Sequence, residues 1–294
     1  MTPGSAPIHE SGSWVADLAM HPGFDTLITS EWHGPDGAGQ VPELRRLLAG
    51  EYQSELHAWH HSERSHRHRV DVELAGAIIL RLTAAHNPTR AYGFAGAIHG
   101  APDHASVVLL WYLDRSDRTN TVWKARPVIS IPSQRVDAAT LPPLLRDLAV
   151  VPPLVTDLGL SRDDRFLYLT CWGTGELRQY DVSDPFGPRL VGLVQLRGLI
   201  DRADHPAVPA APGTGGPQSV AVSHDGRRVY FTISAGMGWE AGGHPGDTRG
   251  WLARLNVGRD GGMTRDRDFL VAFGEESQLG RVWLGSAEEP RRGR

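Results

Sequence analysis

The chain has 294 residues, 40% of them hydrophobic and 22% charged, with a formal net charge of −4. That balance excludes wholesale disorder, and its interspersed charges give no single-sign field to draw nucleic acid or an anionic membrane, so neither is expected as a partner. One cysteine, Cys171, excludes an intramolecular disulfide and a cysteine-rich zinc site, while 34 glycines and 21 prolines favour many turns over long helices.

Residues 1–14 read as a tail without the basic and apolar regions of a secretory signal. The apolar run Ala77 to Leu82 is interrupted by Arg81 and falls far short of the roughly 20 residues of a membrane span. A cytoplasmic location is expected. From residue 15 the chain reads as short strands. Asp17 to Met20 and Leu27 to Trp32 flank a His21-Pro22-Gly23 turn, and a Gly- and Pro-rich insertion follows from His33 to Gly50. A second, weaker copy of the phrase runs from Arg81 through His86-Asn87-Pro88 to Tyr92–Ala95, with further strands at Ser106–Leu113 and Val122–Ile131. Leu141 to Val150 is expected to form a short helical turn.

The clearest unit lies between Leu154 and Leu196, where apolar and polar residues alternate with a period of two. Its strands are Leu154–Leu160, Phe166–Trp172, Leu177–Val182 and Leu190–Leu196. After a second insertion, Arg197 to Gly216, the phrase returns as Ser219–Val222, an Asp225-Gly226 hairpin turn and Val229–Thr232, followed by strands at Trp251–Val257 and Phe269–Phe273. Residues 276–294 read as a second tail.

The copies start about 60 to 75 residues apart, longer than the roughly 40 to 50 of compact propeller repeats because each unit carries insertions. The fold expected is all-β: a β-propeller of about four four-stranded blades over residues 15–275. Each blade needs a neighbour on both flanks, so an incomplete ring exposes two apolar flanks to water. Closure as a small ring, a homo-oligomer or a separately encoded N-terminal half would cover them.

Chemistry-bearing residues are few. His57, His60, His61, His66 and His68 form the densest histidine group, but on a strand-turn-strand they alternate faces, so a solvated cluster is expected ahead of a metal site. Histidines also stand at or beside three first hairpin turns, as His21, His86 and His224, where turn-capping competes with ligation. Cys171 lies in an apolar strand and is expected to be structural. Polar residues near the start of the innermost strand, or in its neighbour, can face the central channel, which makes Glu31, Asp157 and Gln218 the candidate catalytic residues; a buried network between blades is their competing role. A nucleophile elbow, a phosphate loop and a His-Glu-x-x-His motif are not found.

Several of these runs resemble one family. Leu154-Val155-Thr156-Asp157, Asp163-Asp164-Arg165-Phe166-Leu167-Tyr168 and Leu177 through Pro185 are similar to segments of the selenium-binding protein family, whose characterised members include methanethiol oxidases. Thr29-Ser30-Glu31-Trp32, His86-Asn87-Pro88 with Gly93-Phe94, Gly215-Gly216-Pro217-Gln218 and Phe269–Gly274 occur in the family's order. The resemblance covers the C-terminal part of the pattern. It implies part of a seven-bladed propeller, a small thiol substrate oxidised to formaldehyde, hydrogen sulfide and hydrogen peroxide, and copper as cofactor. With it, His86 and the matching His21 become candidate metal ligands. Three departures stand out. The Cys-Gly-Pro segment thought to bind selenium has no counterpart, so selenium is not expected; Trp172-Gly173-Thr174-Gly175 replaces Trp-Leu-His-Gly; and Arg81 stands where members carry an acid shortly before His-Asn-Pro.

Overall fold

A computed structural model describes residues 13–34, 42–72, 74–117, 119–141, 143–196, 204–205, 208–212, 215–234 and 250–273. The tail expected over residues 276–294, and all but the end of the one expected over residues 1–14, lie outside the described residues. Among the described residues, twenty strands follow in chain order. The first sheet joins β1 (Ser13–His21), β2 (Thr26–His33), β3 (Gln53–His60) and β4 (Ser65–Val70), and the second β5 (Ala77–Ala84), β6 (Tyr92–His99), β7 (Ser106–Asp114) and β8 (Val122–Ile131). A small ribbon of β9 (Gln134–Arg135) and β10 (Val150–Val151) precedes the third sheet, formed by β11 (Val155–Leu160), β12 (Phe166–Cys171), β13 (Glu176–Asp181) and β14 (Arg189–Gln195). A second ribbon, β15 (Asp204–His205) with β16 (Val208–Pro212), precedes the fourth sheet of β17 (Gly216–Val222), β18 (Arg228–Ser234), β19 (Trp251–Val257) and β20 (Met263–Ala272).

Each large sheet is an antiparallel meander, and the first strands lie next to one another in the series β1, β5, β11, β17. This is the β-propeller arrangement of four blades, with those four strands innermost. Three apolar clusters fill the junctions. Ile28, Leu56 and Ala58 meet Ile79, Leu82 and Trp111 between the first and second blades. Phe94, Val108 and Ile129 meet Leu158, Leu167 and Leu169 between the second and third, and Phe166, Tyr168 and Leu177 meet Val220, Phe231 and Ala253 between the third and fourth.

The insertions are built structure where they are described. A short helix, α1 (Leu44–Leu48), buries Leu44, Leu47 and Leu48 with Trp32, Ile78, Leu145 and Trp172 at one rim. Between residues 141 and 150 the structure has a 3-10 turn at Pro143–Leu145 and then a strand, so the expected helical turn is shorter than its apolar residues imply. The strand expected at Phe269–Phe273 begins earlier, at Met263, and ends at Ala272.

In the third blade the period-two alternation does not separate inside from outside. Every residue of β12 is buried, and the polar residues Thr156, Asp157 and Thr170 are buried too, because blades cover both faces of the sheet. Alternation here assigns successive side chains to the junction with the second blade or to the junction with the fourth.

Candidate functional site at the channel bulges and the turn rim

All four innermost strands carry a β-bulge at the same place. The register shifts between Val15 and Asp17, Ile79 and Arg81, Val155 and Asp157, and Pro217 and Ser219. The extra residue, Ala16, Leu80, Thr156 or Gln218, leaves the ladder unpaired and turns the next side chain along the ring. Asp17, Arg81, Asp157 and Ser219 are therefore equivalent positions.

Their contacts run from blade to blade. Asp17 Oδ2 accepts from Leu82 N of the second blade at 2.9 Å. Asp157 Oδ2 accepts from Val220 N at 2.9 Å and from Ser219 Oγ at 3.0 Å in the fourth. The second blade offers Arg81 in place of an acid. There the matching amide, Leu158 N, donates instead to Asp157 Oδ1 at 3.0 Å, and Arg81 Nε stands 3.5 Å from the same oxygen. A cation has replaced the carboxylate at this junction, and Asp157 serves two junctions as a result.

Gln218 lies beside this network. Its carbonyl accepts from Thr156 Oγ1 at 2.9 Å, while its side-chain Oε1 is buried without a hydrogen-bond partner. Asp157 and Gln218 are linked through Thr170 Oγ1, which donates to both backbone carbonyls. Glu31 is not with them: it is buried in β2, opposite Glu55 of β3 on the flank of the first blade that faces away from the second.

At the opposite ends of the innermost strands, the first hairpin turns are linked in series. His21 is buried at the end of β1, and its Nε2 lies 2.7 Å from the carbonyl of Arg90 in the second blade. A Cβ on Gly23 would run into the carbonyl of Pro88, so this close approach requires glycine. Asp164, in the third blade's turn at φ 57°, accepts from His86 N at 2.7 Å and Asn87 N at 2.9 Å, with His86 Nδ1 at 3.1 Å. Burial raises the Asp164 pKa, but the bonds from the His86 side chain, His86 N and Asn87 N together outweigh it and hold the carboxyl below its ordinary range. His224 is exposed in the fourth blade's turn.

His21 and His86 therefore share a rim while each engages its own partner; His21 Nδ1 is buried without a hydrogen-bond partner. Among the described residues, no three His, Cys, Asp or Glu side chains come together in a way that would hold a metal ion. The described residues do not by themselves supply a copper site.

The histidine group of the first blade differs from expectation. Ala58 pairs with His68 but Trp59 pairs with His66, so the bulge at Arg67 turns His66 onto the face of His57. His57 Nδ1 and His66 Nε2 are 3.1 Å apart, and His57 Nε2 is 3.2 Å from Glu55 Oε2. His66 is pushed down, mainly by burial and then by its His57 and His68 neighbours. Burial pushes the Cys171 thiol up to about 12, which fits a packing role.

Residue types and patterns alone do not single out Asp17 or Asp164 as site residues, or name the partner of Arg81. A common spacing ahead of the first hairpin turn relates Asp17 to Arg81, but the bulge that aims both is a tertiary feature.

An arc of four-stranded blades, joined by inner-strand bulges and turn-to-turn bonds, defines a propeller scaffold. Residues 9–282 match the 56 kDa selenium-binding protein family (SBP56), and the chain belongs to it. It is 30% identical over 285 residues to a Xenopus tropicalis protein named methanethiol oxidase, covering 91% of this chain and 57% of that one. A human protein of the same name is 32% identical over 281 residues, with 88% and 55% covered. The solved structure of a hypothetical selenium-binding protein from Sulfolobus tokodaii aligns with a TM-score of 0.76 and 36% identity over 89% of this chain and 55% of that one. The chain thus spans a little over half the length of these relatives. No helix among the described residues is long and apolar enough to cross a membrane.

Proposed function

We propose that this chain takes part in the oxidation of a small thiol, methanethiol being the substrate to test first. Membership of the family over residues 9–282, with relatives named methanethiol oxidase, carries the reading. In the balanced reaction methanethiol, dioxygen and water, in equal amounts, give formaldehyde, hydrogen sulfide and hydrogen peroxide, also in equal amounts. The methyl carbon is oxidised, the C–S bond breaks, and dioxygen takes up two electrons and two protons. Copper is the metal to supply, with ligands drawn from beyond the described residues or from whatever completes the ring.

The chain's own contribution is a pre-shaped channel wall. Arg81 and Asp157 set a cation beside a carboxylate on adjacent inner strands, and the interblade bonds of Asp17 and Asp157 keep those strands in register. Such fixed charges orient a polar group without reorganising.

The test incubates purified protein with methanethiol and air, with and without copper, and follows sulfide and peroxide together. Copper-dependent appearance of both in equal amounts supports the proposal. Their absence from the copper-loaded protein, alone and mixed with the remaining blades of a relative, refutes oxidation. The alternative, a non-catalytic β-propeller binding or assembly module, is not favoured beside relatives named methanethiol oxidase, although the position expected to carry an acid before His-Asn-Pro holds Arg81, paired with Asp157.

A further inference from the structure

We propose that His99 is a pH-sensitive latch on α1, the helix that covers the innermost strands at their bulges, closed while its ring carries two protons and loosened when it carries one. The inference rests on the turn that follows β6 and not on thiol oxidation, and its test reads amide exchange rather than activity.

The ring stands between two groups that only accept. His99 Nδ1 lies 2.8 Å from Asp103 Oδ1, and its Nε2 lies 2.8 Å from the carbonyl of Ala75. A neutral imidazole has one N–H and a lone pair on the other nitrogen, so it donates to one of these groups only; both bonds require the imidazolium. Histidine is the side chain whose ordinary titration falls between about pH 5 and 8. Asp103 stays ionised over that range: burial raises its pKa, but the bonds from Ala105 N and His99 outweigh burial and hold it below its ordinary value. Once the ring is neutral, the charged acceptor keeps the remaining proton on Nδ1, and Nε2 turns a lone pair toward the Ala75 carbonyl. The titratable groups that face His99, namely Asp103 and His104, belong to its own turn. The linker to β5 meets the ring with backbone, the Ala75 carbonyl and Gly76, and the end of α1 approaches Gly76 through Gly50.

What the latch holds is the seat of α1. Gly100 N donates to the Gly76 carbonyl at 3.0 Å beside His99, and the next amide, Ala101 N, donates at 2.9 Å to the carbonyl of Leu48, the last residue of α1. A Cβ on Gly100 would run into the Leu47 carbonyl, so helix and turn touch backbone to backbone. Leu44, Leu47 and Leu48 share one apolar cluster with Leu80 and Ala16, the bulge residues of β5 and β1, and with Trp32 and Trp172. One ring proton therefore bears on the cover of the inner strands next to Asp17 and Arg81. Ser133 Oγ donates to the Asp103 carbonyl and His104 N to the Gly100 carbonyl, each at 2.9 Å, and these bonds keep the turn formed. Loss of the Ala75 bond loosens the seat without unfolding the blade.

Hydrogen exchange of the full chain, corrected for its intrinsic pH dependence, tests this at the Ala101 amide and over residues 44–50. Protection should fall about tenfold from pH 5.5 to 8, the scale of one hydrogen bond. His99→Gln, with no titrating proton, should make protection independent of pH. Asp103→Asn should do the same with protection kept at its low-pH level, because the amide donates to Nδ1 and leaves the Nε2 proton for Ala75. His104→Asn, a residue suited to φ 51°, should retain the tenfold change. An unchanged circular dichroism spectrum verifies the fold of each variant. Protection that is flat in the parent chain, a pH dependence that survives in His99→Gln or Asp103→Asn, or one that vanishes in His104→Asn would each overturn the proposal.

Discussion

Arg81 Nε lies 3.5 Å from Asp157 Oδ1, joining the second blade to the third where the first blade joins the second through Asp17 and an amide. The two junctions use the same bulge with opposite charge. At Asp17 the carboxylate reaches forward; at Arg81 the next blade's carboxylate accepts from its own following amide and forms an ion pair with the guanidinium.

The two partners are expected to contribute unequally. Asp157 is buried and accepts from Ser219 Oγ and Val220 N, so Asp157→Asn, which turns a donor or a weaker acceptor toward them, should cost about 2–4 kcal/mol. Arg81 is a third exposed, and Arg81→Leu should cost within about 1 kcal/mol. Urea denaturation of both variants tests this; an equal loss for the two would contradict the assignment of Asp157 to the interblade bonds.

Asp164 sets an acid limit on the turn rim. Its pKa is held below the ordinary 3.8, so its stabilising contribution is complete above that value and disappears as pH falls through the lower folded value. The urea midpoint should therefore drop more steeply below pH 4 in the parent chain than in Asp164→Asn. At pH 7 the variant should be about 1–2 kcal/mol less stable, because His86 N and Asn87 N lose a charged acceptor. Parallel acid profiles would remove Asp164 from this role.

The His57–His66 pair acts in a different window. Burial lowers the His66 pKa from 6.5, so the unfolded chain takes up this proton first and stability falls as pH drops below about 6.5. His66→Gln should flatten the thermal midpoint between pH 7.5 and 5.5. A slope unchanged by the substitution would place the titrating group elsewhere.

Gly23 offers a steric check on the rim. An alanine Cβ would meet backbone, the Pro88 carbonyl, which has no rotamer to yield. Gly23→Ala should cost about 1–3 kcal/mol, measurable as a lower melting temperature, whereas Gly226→Asn, at φ 69° with open space beside it, should be nearly neutral.

The four blades were legible in the chain because the first-hairpin phrase recurs and the Asp-Gly and Ser-x-Asp turns punctuate it. Ser161 bonds Asp163 as Ser223 bonds Asp225, each at 2.6 Å. The resemblance was legible for the same reason: consecutive residues from Asp163 to Tyr168 and from Leu177 to Pro185 need no folding to be compared. Asp157 and Gln218 stood out as polar residues on an inner strand, and Thr170 Oγ1 donates to the backbone carbonyls of both. Glu31 was selected by the same rule but lies on another flank, because strand alternation assigns a face without naming the neighbour on it.

What the linear sequence determined is local: strand period, turn chemistry and the repeat that makes a blade. Tertiary structure alone decided which blade each face meets, since a single-residue bulge at Ala16, Leu80, Thr156 and Gln218 sends the next side chain across a junction, and another at Arg67 carries His66 to His57. A bulge is a shift of register between two strands, and register depends on a partner strand that no local run of residues contains.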